Sequence, residues 1–176
     1  MQPSSAGREL RRFAVIMGMS LLAIAGILAL QPGSVDLSGF ARMRPHAPDL
    51  AALGATPATV QLHVVSVLVA LVLGPVQFAL PKGTRLHRRI GWAWFVAMLL
   101  AALSSAFIRD INEGGFSAIH IFTAWTLVSL PLAVWTARRG HIRAHRGTMV
   151  GLYVGLVIAG LLSIAPGRLT WALFFG

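Results

Sequence analysis

The stretch "TRLHRRIGWAWFVAMLLAALSSAFI", residues 84–108, sets three arginines and a histidine directly against nineteen residues that carry no charge. At 1.5 Å rise per residue, nineteen residues make a helix of about 28 Å, close to the thickness of a bilayer's hydrocarbon core. The stretch therefore reads as a transmembrane helix from Ile90 to Ile108, with Arg85, Arg88 and Arg89 holding its start at the headgroups.

Four more stretches of this kind flank it: Phe13 to Leu30, Ala58 to Leu80, Ala118 to Ala137 and Thr148 to Ala165. None of the five contains an aspartate or glutamate. A soluble domain has about a quarter of its residues charged. Here the share is 11%, against 56% apolar residues and a mean hydropathy of +0.75. One core of 176 residues cannot hide so much apolar surface, so the solvent is a bilayer.

The expected fold is all-α: an integral membrane helical bundle of one N-terminal anchor helix and two tandem helical hairpins, five transmembrane helices in all. Residues 1–30 form the N-tail and anchor, 31–56 an irregular outer loop, 57–165 the four-helix membrane domain and 166–176 an outer tail. The first stretch follows Arg8, Arg11 and Arg12 like a signal peptide, but it is long for one. Leu30-Gln31-Pro32 offers no small-residue cleavage site, so it reads as a retained anchor. "WALFF", 171–175, is too short to span and is expected at the interface or packed back. Thr56-Pro57 marks a helix start, with Thr56 as its cap.

The net charge of +10 is a topology signal rather than a nucleic-acid footprint. Eleven of the fifteen basic residues fall in three clusters: Arg8, Arg11 and Arg12; Lys82, Arg85, Arg88 and Arg89; Arg138, Arg139, Arg143 and Arg146. With five spans these clusters share one side. Short basic loops stay in the cytoplasm. This predicts a bacterial inner-membrane protein with a cytoplasmic N-terminus and a periplasmic C-terminus. The expected partners are the bilayer with its anionic headgroups, a respiratory-chain protein or a second copy of the chain, and no nucleic acid.

The chain has no cysteine, which removes thiolate metal sites, disulfides and cysteine nucleophiles together. Without intramembrane carboxylates it also lacks the usual coupling groups of transporters. Histidine remains. His63 and His87 open the second and third spans, 24 residues apart; His120 and His145 open the fourth and fifth, 25 apart. Pro75 and Pro131 follow the first histidine of each set after 12 and 11 residues, and His87-Arg88 and His145-Arg146 lie in basic turns. Two copies of one hairpin plan thus stand in tandem, related by an axis along the membrane normal. In a bundle this places His63 with His120 near the outer face and His87 with His145 near the inner face.

Paired neutral imidazoles on neighbouring helices suit bis-histidine ligation of haem b, with Arg88 and Arg146 as partners for its propionates. Iron or copper is the candidate metal of His63, His120, His87 and His145; Met149, one turn beyond His145, suits copper. The competing reading of each histidine is structural, at headgroup level or in helix-to-helix hydrogen bonds. Gln77, a lone amide, is expected in such a helix-to-helix bond, and His46 and His141 read as surface residues.

"H-x10-G-P-x-Q-F" from His63 to Phe78, "H-R-x-x-G" from His87 to Gly91, His120 and His145-Arg146 together resemble the predicted bacterial membrane proteins of domain-of-unknown-function family 2306, over about residues 57–165. That resemblance implies the fold and marks the histidines without assigning a reaction. The layout is similar, more loosely, to transmembrane dihaem cytochromes of the b type, a likeness of fold. The functional expectation is a b-type cytochrome-like electron carrier or a haem- or metal-handling protein. The alternative is a non-catalytic membrane subunit or assembly factor of a respiratory complex, with structural histidines.

Overall fold

A computed structural model describes residues 42–108, 120–164 and 169–175. The anchor expected at Phe13 to Leu30, the first part of the outer loop, and residues 109–119 lie outside them. The described residues form six helices: α1 (Leu50–Gly54), α2 (Ala58–Ala79), α3 (Arg85–Phe107), α4 (His120–Arg138), α5 (Ile142–Ser163) and α6 (Leu169–Phe174). Among them no strand forms; a lone antiparallel bridge joins Pro45 to Phe175.

Three helices, α2, α3 and α5, are long and apolar enough to cross a membrane. At 22 or 23 residues each measures about 33–35 Å. The 19-residue α4 packs between α3 and α5. Contact is most extensive between α2 and α3, then between α4 and α5, then between α3 and α4, and thin between α2 and α5.

The chain ends its helices by recognisable local chemistry. Gly83 has φ +78 in the turn between α2 and α3, and Thr84 then caps α3, its hydroxyl accepting from the His87 N–H at 3.1 Å. After α4, Gly140 has φ +74. The His141 N–H bonds the Thr136 carbonyl and the Gly140 N–H bonds that of Ala137, the two bonds of a Schellman motif. Thr56 does not cap α2. Its hydroxyl donates to the Leu53 carbonyl and closes α1 instead, while Pro57 precedes α2 without a side-chain cap. A threonine between two helices can serve either, and here both its hydroxyl and its N–H bond the Leu53 carbonyl at the end of α1.

Packing runs opposite to that of a soluble domain. The buried face of α2 is Ser66, Ala70, Gly74 and Gln77, and much of that of α3 is Ala97, Ala101, Ala102 and Ser104. Valines and leucines such as Val65, Val72, Leu103 and Val128 point outward. Lipid gives apolar side chains no reason to turn inward, so helices approach through small residues and polar groups pair between them. Trp94, 1% exposed, anchors the core and donates its indole N–H to the Ala70 carbonyl at 3.0 Å.

The "WALFF" segment packs back, as one of its two expectations had it. α6 runs through it, and the Phe174 and Leu173 carbonyls accept from the backbone N–H groups of His46 and Asp49. This ties the segment before α1 to α6.

Candidate functional site

The turn after α2 and the helix ends beside the turn at 139–141 bound a cleft of about 520 Å³ that reaches all four long helices. That volume lies within the range of small-molecule sites. Phe78, Trp92, Trp94, Phe95, Met149 and Tyr153 give it apolar walls. Lys82, Arg88, Arg138 and Arg146 also line it. The one acid among the described residues, Asp49, caps α1 and lines no part of the cleft.

Pro75 sets the local construction on α2. It has no N–H, so the Leu71 carbonyl four residues earlier loses its helical donor. Tyr153 of α5 supplies one, its hydroxyl donating at 3.3 Å. The ring lies so close over Gly74 that any Cβ there would overlap it, and it meets Phe78 edge-on at 5.3 Å between centroids.

Gln77 comes next, 7% exposed. Its amide nitrogen donates to the His87 carbonyl at 2.9 Å and lies 3.3 Å from His87 Nε2. A carbonyl only accepts, which fixes the amide orientation. Gly91 makes room for this contact, since a Cβ there would sit 2.9 Å from the amide nitrogen. Gly74, Pro75, Gln77, Phe78, His87 and Gly91 therefore form one cluster at the cleft. Gln77 makes the helix-to-helix bond expected of it and lines the cleft as well.

Those bonds decide the tautomers. The amide N–H2 of Gln77 only donates, so His87 Nε2 accepts and Nδ1 carries the proton of the neutral ring. His87 Nδ1 and Gln77 Oε1 are both buried without a hydrogen-bond partner. Left so, each costs about 1–3 kcal/mol, and together they offer a donor and an acceptor. His145 differs. Its Nδ1–H donates to the Ala133 carbonyl of α4 at 2.9 Å, which puts the lone pair of the neutral ring on Nε2. A second bond of this type from the far ring nitrogen is what orients a metal-binding histidine.

The expected inner pair, His87 and His145, thus lines one cleft, and Arg88 and Arg146 line it too. Arg88 also donates to the Gly83 carbonyl at 2.7 Å. At the other end a smaller cavity of about 120 Å³ is lined by His63 but not by His120. It has room for a few waters, not for a macrocycle. His63 Nδ1–H donates to the Ala101 carbonyl of α3 at 2.9 Å, with the Ser104 hydroxyl 3.4 Å away. His120 heads α4 one turn before Thr123, whose hydroxyl meets that of Ser105 at 3.1 Å. In hydrogen bonding His63 matches His145: each reaches a carbonyl on its hairpin partner helix.

The sequence reading missed Tyr153 and Lys82. The signal for Tyr153 was its being the chain's single tyrosine, in a bundle where Pro75 on α2 leaves a carbonyl to satisfy. Lys82 donates to the Gln77, Phe78 and Leu80 carbonyls at 3.1, 2.6 and 3.0 Å, holding the negative end of α2.

A family model, "Predicted membrane protein (DUF2306)", matches residues 60–175. The chain belongs to the DUF2306 family. The matched part holds all four span-opening histidines, the Gly74 to Phe78 motif and α6, so the DUF2306 region runs further toward the C-terminus than the motifs alone had suggested. No curated protein and no solved structure matches the chain.

Proposed function

We propose that this membrane protein holds an amphipathic anion in the cleft at its basic end, and that the anion is haem b. The observation that carries the reading is the joint placement of His87 and His145, from two hairpins, on one apolar cleft with a cationic lining and no acid among the described residues. Such a lining favours a ligand with an apolar body and negative groups at one edge.

The donor set bears on which metal form fits. Among the described residues no group of three or more histidines or acids could hold a bare ion, whereas a macrocycle brings four nitrogens of its own and asks the protein for one or two. His145 Nε2 is the ready ligand, Arg88 and Arg146 would meet the propionates, and the tryptophans and Phe95 would flank the ring. When bound, haem would supply one-electron chemistry. Copper, resting on His145 and Met149, has fewer donors than it needs. The outer pair is left out because the cavity that His63 lines does not include His120 among its described lining residues.

The reading includes a topology. α4, at about 28 Å, is taken as a further span and Phe13 to Leu30 as the fifth. The turns at 80–84 and 139–141 then face the cytoplasm of a bacterial inner membrane, where short basic loops remain.

Protein purified in mild detergent from haem-replete cells should show a Soret band and about one iron per chain by metal analysis, both lost in His145→Ala. A folded preparation that is colourless, free of metal and unable to take up added haem would end the haem reading.

A further inference from the structure

Both histidines of the cleft face the same space, but they are not chemically equivalent. The lone pair of His145 lies on Nε2, because Nδ1–H is held by the Ala133 carbonyl. On His87 the Nε2 lone pair faces the Gln77 amide at 3.3 Å, and Nδ1 carries the proton. Neither nitrogen of His87 therefore offers a lone pair while Gln77 stays in place. Gln77 is held by its second bond, to the His87 carbonyl, and by the Gly91 surface against which its amide lies.

We infer that His145 is the sole iron-ligating histidine of this cleft, that His87 is a hydrogen-bond donor there, and that Gln77 is the positioning residue that keeps it so. The inference rests on the haem reading and changes its chemistry. Iron held by His145 alone would remain able to bind a small exogenous ligand. A buried donor, His87 Nδ1–H, and a buried acceptor, Gln77 Oε1, stand ready to hydrogen-bond such a ligand or a water beside it. A bis-histidine electron carrier needs neither orphan. A site that binds a small polar molecule, neutral or weakly acidic, uses both.

The test uses the full chain in detergent, titrated with haem b, and reads the ferrous spectrum with and without carbon monoxide. Expected for the wild type is a high-spin, five-coordinate ferrous spectrum, with carbon monoxide binding one per haem. His145→Ala should lose about tenfold or more in haem affinity, a tenfold change being about 1.4 kcal/mol of binding free energy, whereas His87→Ala should bind haem within about threefold of wild type. Gln77→Leu should free His87 and convert the spectrum to six-coordinate low-spin, slowing carbon monoxide binding. A haem-free readout stands beside these: 15N imidazole NMR should place the His87 proton on Nδ1 in the wild type and shift it in Gln77→Leu.

A six-coordinate low-spin wild type that loses this character equally in His87→Ala and His145→Ala would overturn the inference and leave the haem reading intact. His87 protonated on Nε2 in the haem-free protein would overturn it as well. Failure of the wild type to bind haem, with the NMR result as expected, would remove the haem reading and leave the donor role of His87 standing.

Discussion

Tyr153 on α5 donates its hydroxyl hydrogen to the carbonyl of Leu71 on α2, 3.3 Å away. Pro75 has left that carbonyl without its helical donor. The pair closes the thinnest side of the bundle, where α2 and α5 touch, so removing the hydroxyl should cost what a hydrogen bond between membrane helices costs, about 0.6 kcal/mol and at most about 1.7. Tyr153→Phe should accordingly lower the thermal midpoint in detergent slightly. Gly74→Ala should lower it more, because its Cβ meets the ring itself, and Tyr153→Ala in the same chain should recover part of that loss. A Gly74→Ala protein as stable as wild type would show that the ring does not lie over Gly74.

Gly91 should be intolerant for a different reason. A methyl group there would stand 2.9 Å from the Gln77 amide nitrogen, a distance the side chain can relieve only by moving off His87. Gly91→Ala should therefore reproduce the His87 NMR signature of Gln77→Leu while leaving Gln77 present. Unchanged imidazole shifts would mean that the amide has another place to go.

The cationic lining should make ligand binding depend on salt. Arg88 and Arg146 are exposed, so each contributes less than a buried charge pair would. Arg88→Gln with Arg146→Gln should weaken haem binding by about three- to tenfold at low salt, and the difference should shrink as ionic strength rises. A double variant with undiminished affinity would place the ligand's negative groups elsewhere.

Topology can be checked with single cysteines in this cysteine-free chain. Gly54 has open space around it and should, as cysteine, react with an impermeant reagent on intact cells. Arg85, exposed at the start of α3, should as cysteine react only after the membrane is opened. Gly140 is the poorer site, since φ +74 strains any side chain there. Labelling of both positions from outside would overturn the proposed orientation.

The spans α2, α3 and α5 were legible because bilayer thickness imposes a length and a composition that survive in one dimension. The turns were legible because glycine and threonine have local reasons to stand where they do. His87 and His145 could be brought together from the two hairpins by topology alone, since both open helices at the basic end. The tautomers could not be foreseen. They depend on which carbonyl a ring nitrogen reaches, and Ala133 and Ala101 carry no mark of it in the sequence. Tyr153 was hidden for the same reason, its partner being a backbone atom 82 residues away.

The small residues buried between α2 and α3 reverse the usual ranking of conservative substitutions. Ala70 is fully buried beneath Trp94, and Val72, two positions on, is 67% exposed. Ala70→Val adds two methyl groups where the helices touch and should force them apart. Val72→Ala removes the same atoms from an exposed face, where fluid lipid would refill the space. A substitution table built on soluble proteins would rank Val72→Ala as a core truncation and Ala70→Val as mild. Variants of this chain should be ranked by which side of the helix they enlarge.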